Sequence, residues 1–280
     1  MSIPSNSATL TLGGTLVLVG AGKMGDALLR GWLGRGLSPR QIVIFEPAPS
    51  AELLALTGAQ AIRLNPQMAD VTDACVLVLA VKPQAMQDVL PGLAPLAKGG
   101  ALILSIAAGK PIGFFEQYFS ASPIVRAMPN TPAAIGQGMT VLCANARVTD
   151  TQREMAYTLM DAVGEVAWIQ DEALMDPVTA VSGSGPAYVF LLIEALASAG
   201  EKAGLDAGLA HLLARQTVRG AAALAAQSDQ PASLLRENVT SPGGTTAAAL
   251  DVLMRPAGGL QTLLDEAVEA AARRSRELAQ

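Results

Sequence analysis

The sequence predicts an α/β chain in two parts, a doubly wound parallel sheet followed by a domain made only of helices. Three observations predict it. Short apolar, β-branched runs alternate with longer helix-suited stretches as far as about Asp171. Those runs lack polar alternation, as expected of strands covered on both faces. Beyond Asp171 no strand-like run remains.

The elements follow in order. Residues 1–14 have neither a basic start nor a long apolar stretch, so they read as a short flexible tail rather than a secretion signal. Thr15–Val19 (TLVLV) is the first strand and residues 26–33 the first helix. Ile42–Phe45, 75–81 and 101–105 are further strands, with a helix over 84–96 between the last two. Strand candidates continue at 124–127, 139–143 and 165–168. This βαβ rhythm assigns 15–171 to the sheet domain. In 172–280, Val189, Leu192, Ile193, Leu196 and Gly200 recur at helical spacing. So do Leu260, Leu263, Leu264, Ala267, Val268 and Ala271, with Asp265, Glu266, Glu269 and Arg273 opposite. A further helix is expected from about Ala207 to Gln227, carrying His211.

Composition narrows the function. The chain is 51% hydrophobic but only 4% aromatic, with a mean hydropathy of +0.37. Core volume must therefore come from Ala, Leu and Val, which suit closely packed helices. So apolar a chain implies that part of its helical surface is covered by another subunit. A net charge of −5 without any Lys/Arg run points away from nucleic acid. No run approaches the roughly 20 continuous apolar residues of a membrane span. Cys75 and Cys143 sit in apolar strand-like runs and read as buried free thiols, which suits a reducing, cytoplasmic setting. With His211 the single histidine, no His-rich metal site is expected.

Gly20-Ala21-Gly22-Lys23-Met24-Gly25 matches G-x-G-x-x-G directly after the first strand, where a helix opens. Glycines there allow a tight turn, close backbone approach to a pyrophosphate and tight helix–strand packing. The phosphates would lie on the helix amides. The domain is therefore read as Rossmann-like. Glu46 ends the second strand about 20 residues further on, where an acid accepts hydrogen bonds from the adenosine ribose and repels a 2′-phosphate. That favours NAD(H).

Two segments of the helical part exceed what folding alone asks. One is Ser182-Gly183-Ser184-Gly185-Pro186-Ala187-Tyr188. The other is Val239-Thr240-Ser241-Pro242-Gly243-Gly244-Thr245-Thr246, leading into an Ala-rich helix. Either could be a plain helix–helix connector. Together with the glycine motif, Ala80-Val81-Lys82-Pro83, Arg126-Ala127-Met128-Pro129-Asn130-Thr131-Pro132, Gln216-Thr217 and Arg274-Ser275-Arg276-Glu277-Leu278, they make the chain resemble the pyrroline-5-carboxylate reductases. The resemblance covers about residues 15–279.

It implies a Rossmann-like domain and a C-terminal all-helical dimerisation domain that intertwines with a second copy, active sites completed across the dimer, and dimers often gathered into decamers. It also implies reduction of 1-pyrroline-5-carboxylate to L-proline, usually with NADP(H). By resemblance Ala80, Val81, Lys82 and Pro83 line the coenzyme site, with Ala107 near the nicotinamide and Asn238 reaching it. Ser241, Gly243, Gly244, Thr245 and Thr246 hold the substrate, with Glu172 a further candidate and Thr246 and Ser241 the catalytic pair. The chain departs from the family pattern at Gln230, where His is common before Pro231, and at Gln67, where Asn is common near the ribose.

Chemistry accounts for these residue types. The substrate carries a carboxylate, suited to helix N-terminal amides, and a C=N bond whose nitrogen the Thr246 hydroxyl can meet. No strong base is needed. A β-hydroxyacid dehydrogenase-like oxidoreductase is the second reading, but Lys202 lacks that class's Gly-x-x-x-Lys-x-x-Asn setting. A non-catalytic dinucleotide-sensing module is the third, and such a module has no need of the Ser241 to Thr246 turn.

Overall fold

The structure, a computed structural model, describes residues 9–279. Eight strands, β1 (Thr15–Val19), β2 (Ile42–Phe45), β3 (Arg63–Leu64), β4 (Ala74–Leu79), β5 (Leu102–Ser105), β6 (Ile124–Met128), β7 (Gly138–Ala144) and β8 (Gly164–Trp168), form one sheet. Its order is β3-β2-β1-β4-β5-β6-β7-β8. Helices α1 (Lys23–Gly34), α2 (Ala51–Gln60), α3 (Met86–Ala97), α4 (Ile112–Glu116), α5 (Asp150–Asp161) and α6 (Met175–Val178) accompany it.

Alternate residues of each central strand feed opposite cores, because successive side chains point to opposite faces. Leu16, Leu18, Val76 and Val78 pack with Leu28 and Trp32 of α1 and Leu159 of α5. Val17, Val19, Leu77 and Leu79 pack with Met86 and Leu90 of α3 and Phe115 of α4. Both faces being covered, the strands need no polar side. Trp32 is wholly buried, yet its indole N–H donates to the Leu159 carbonyl at 2.8 Å.

The expectation of an all-parallel sheet fails at one pair. β7 runs antiparallel to β6. A parallel return needs a crossover of a dozen or more residues, and residues 129–137 hold only a single 3₁₀ turn. Part of the expected 1–14 tail is held in place. Leu10 is buried and its N–H donates to the Arg35 carbonyl, while Gln41 Nε2 donates to the carbonyls of Leu12 and Gly14. Residues 1–8 of that tail lie outside the described residues.

The chain forms two compact units, which divide after Gly183 in the single chain. Residues 172–183 stay with the sheet because Met175 is fully buried in the second core and Glu172 is bound to Arg126. From Ala271 onward the chain belongs to the sheet unit again.

The other unit, Ser184–Ala270, holds α7 (Gly185–Lys202), α8 (Ala207–Ala226), α9 (Ala232–Asn238), α10 (Thr245–Leu253) and the first half of α11 (Leu260–Ala279). α7 and α8 form a hairpin whose seam is small. Ala197, Ala210 and Ala214 are buried, and Gly200 abuts Leu205 and Ala210. Asp206 caps α8 by accepting the Leu209 N–H. The larger side chains that recur at helical spacing face outward: Val189, Leu192 and Leu196 are exposed, and their neighbours Leu191 and Leu212 are 63% and 64% so. One helical run, Glu172–Lys202, is apolar and long enough to cross a membrane by length and composition.

Candidate functional site

The sheet unit gathers its predicted residues at the C-terminal ends of β1, β2, β4 and β5. Strand order reverses between β1 and β4, and such switch points open a crevice that receives ligands. Gly20 leaves β1 with φ of +88°, and a side chain there would begin 2.8 Å from the Ala80 carbonyl oxygen and 2.9 Å from Val81 Cγ1. Only glycine fits. A side chain at Gly25 would begin 2.5 Å from the Gly20 carbonyl, so α1 packs against the strand end as the motif predicts. Gly22, the N-cap of α1, faces open space and accepts no side-chain cap. The first amides of α1 therefore remain available to an anion.

Lys23 is exposed at the helix start, and Met24 packs on the first core. Ala80 donates its N–H to the Val19 carbonyl, which seats Ala80, Val81, Lys82 and Pro83 beside the glycine turn. Ile106 donates to Leu79, and Ser105 Oγ accepts the Ala107 N–H at 3.2 Å, fixing Ala107 at the end of β5. A dinucleotide cradle of this shape fits the residues present.

Glu46 is held more firmly than a solvated strand-end acid. Its Oε2 accepts the Ala21 N–H at 2.8 Å and its Oε1 the Ala48 N–H at 3.0 Å. Asn65, in the left-handed region at φ of +48°, clasps the Glu46 backbone, accepting its N–H at 2.9 Å and donating to its carbonyl at 2.8 Å. Glu172 lies in the same unit, where one carboxylate oxygen accepts from buried Arg126 at 2.9 Å and from the Ile112 N–H at 2.8 Å.

The helical unit carries the second set. Thr240 ends the α9 turn, its hydroxyl donating to the Arg236 carbonyl at 2.6 Å. Gly243 adopts φ of +70° with nothing around it, and Gly244, donating to the Ser241 carbonyl, is the N-cap of α10. No side chain caps that helix. The amides of Thr245 and Thr246 open its first turn, where no intrahelical partner exists. Ser241 is exposed and Thr246 half-buried. Asn238 donates to Gln230 Oε1 at 3.2 Å, so the departure at Gln230 bears on a residue of the expected site.

Among the described residues no group of three or more His, Cys, Asp or Glu could hold a metal ion. His211 is solvent-facing, 3.7 Å from Glu201. Both thiols are free, and burial pushes each above the usual thiol range. Sequence reasoning missed Asn65 as a clasp, and it missed the bond from Ser275 Oγ to Asp176 Oδ1, 2.6 Å long between residues far apart in the chain.

A glycine cradle at the switch point of a mainly parallel sheet, carried with a separate helical unit, defines a dinucleotide-dependent oxidoreductase of Rossmann-like fold. The family model described as "Pyrroline-5-carboxylate reductase dimerisation" matches residues 172–278, and that described as "NADP oxidoreductase coenzyme F420-dependent" matches 15–109. The chain belongs to the pyrroline-5-carboxylate reductase family. It is 45% identical to the pyrroline-5-carboxylate reductase of Pseudomonas aeruginosa, over 95% of this chain and 97% of the relative. The structure of a pyrroline-5-carboxylate reductase from Coxiella burnetii superposes with a TM-score of 0.88 at 37% identity, covering 96% of this chain and 100% of that one. A Plasmodium falciparum pyrroline carboxylate reductase with NADP bound gives a TM-score of 0.81 at 32% identity, covering 96% and 99%. The dimerisation match assigns self-association to the helical part, as the resemblance implied.

Proposed function

We propose that this chain reduces 1-pyrroline-5-carboxylate to L-proline with NAD(P)H, the last step of proline biosynthesis. The observation that carries the reading is the uncapped, hydroxyl-flanked N-terminus of α10 inside a matched reductase dimerisation domain. The amides of Gly244 to Thr246 take the substrate carboxylate, each charge-assisted bond adding roughly 1.5–3 kcal/mol. Ser241, Gly243 and Gly244 shape the turn. Thr246 Oγ bonds the ring nitrogen and guides a proton to it. A reduced nicotinamide, when bound, supplies the hydride for the imine carbon, so C=N becomes CH–NH.

On the coenzyme side, Gly20 to Gly25, Glu46, Ala80 to Pro83 and Ala107 form the cradle. The family's NADP(H) use supports NADPH, while Glu46 also admits NADH. Free thiols suit a cytoplasmic enzyme, and assembly of dimers into decamers follows from the resemblance.

The test is an assay of purified protein with pyrroline-5-carboxylate and each reduced coenzyme, with Thr246→Ala alongside. Turnover should fall about 10- to 100-fold, which is the loss of one strong hydrogen bond, at unchanged dinucleotide affinity. No turnover by folded wild type with either coenzyme would refute the reading. Equal loss of turnover and coenzyme affinity would refute the role of Thr246.

A further inference from the structure

The last turns of α11 do something that a dimerisation helix has no need to do. They leave the helical unit and pack against the sheet unit's own β5–α4 loop. Ser275 is one of few buried polar side chains, 4% exposed, and its hydroxyl donates to Asp176 Oδ1 at 2.6 Å. Asp176 lies on α6 beside Met175, which is fully buried in the core that also contains Ala107 and Ile112. One turn further on, Leu278 covers Gly109. A side chain at Gly109 would begin 3.2 Å from Leu278 Cβ and 3.5 Å from its carbonyl oxygen, and Gly109 has φ of +73°. The same loop is held at its far end by Ile112 N–H on Glu172 and at its near end by Ala107 N–H on Ser105. It is pinned at both ends and pressed in the middle.

We propose that the C-terminal turns of α11, through the Ser275–Asp176 bond and the seat of Leu278 on Gly109, act as a latch that positions the Ala107 loop for hydride transfer. Ser275 and Asp176 are positioning residues, since neither touches the reacting atoms. The latch rests on the assignment above of Ala107 to the nicotinamide. Fixed backbone matters here because misplacing a reacting group by about 1 Å can cost 100-fold in rate. The pyrophosphate cradle at Gly20 to Gly25 lies on other strand ends, so the latch should act on turnover and leave grip on the adenosine half alone.

Three measurements test it on the full chain. In ligand-free protein, Ser275→Ala should speed amide hydrogen exchange across 106–112. It should lower kcat about three- to tenfold, the net worth of one hydrogen bond, and leave the affinity for 2′,5′-ADP unchanged. Gly109→Ala, which pushes α11 off its seat, should do the same more strongly. Asp176→Asn keeps the acceptor oxygen and should stay near wild type, whereas Asp176→Ala should match Ser275→Ala. Arg274→Ala is the control, since its pair with Glu277 is exposed. Unchanged exchange, an unchanged kcat, or a parallel loss of 2′,5′-ADP affinity would overturn the latch. A wild type inactive on pyrroline-5-carboxylate would instead sink the functional reading, and the exchange result would still decide whether the latch exists.

Discussion

The Glu46 carboxylate spends one oxygen on the Ala21 amide and the other on the Ala48 amide. That holds a negative charge where β2 ends, against the glycine turn, and such a charge accepts ribose hydroxyls and repels a 2′-phosphate. Glu46→Ser removes the charge but keeps a small hydroxyl. The ratio of kcat/KM for NADPH to that for NADH should rise about tenfold or more, equivalent to about 1.4 kcal/mol, when both are titrated under identical conditions. An unchanged ratio would place Glu46 away from the ribose. Position in sequence was enough to put Glu46 at the strand end beside the glycine turn, because strand, glycine turn and acid lie at a fixed spacing. It was not enough to find Asn65, whose role depends on a left-handed backbone that no motif encodes, or the Ser275–Asp176 bond, whose partners stand 99 residues apart.

Among the elements, the α7–α8 hairpin shows how a small-residue seam sets helix approach. Ala197, Ala210 and Ala214 leave no room between the helices, so Ala210→Leu should overpack the seam and cost about 1–3 kcal/mol. Chemical denaturation should show a lower midpoint. A midpoint unmoved by Ala210→Leu would mean that the seam is looser than its burial implies. The helical period of Val189, Leu192 and Leu196 was legible, since apolar spacing reports period directly. Which face the chain would bury itself was not, because Ala serves a close seam as well as a bland surface. The strands of the first half were legible as apolar runs. The reversed β7 was not, since apolar runs carry no direction and only the short 129–137 connection decides it.

For the molecule as a whole, the exposed apolar side chains of the helical unit explain three observations together. They account for the mean hydropathy of +0.37, for the membrane-like hydropathy of Glu172–Lys202, whose apolar stretch stays mostly exposed in the single chain, and for the dimerisation match over 172–278. A free chain would leave Phe190, Leu191, Leu212 and Leu263 in water, each 57% exposed or more. Burying one such side chain is worth about 1.5–3 kcal/mol, so a second copy should cover this face and stabilise the folded chain by mass action. Two consequences can be measured on one sample. Thermal midpoints of wild type should rise with protein concentration. Leu191→Asp with Leu212→Asp should move the sedimenting species towards monomer, because each Asp forfeits the apolar gain and adds the cost of a desolvated charge; two such losses raise the dissociation constant roughly 100-fold or more. Midpoints of the double variant should then no longer follow concentration. A variant that sediments as wild type does would show that self-association uses another face, and the outward leucines of α7 and α8 would need a different partner.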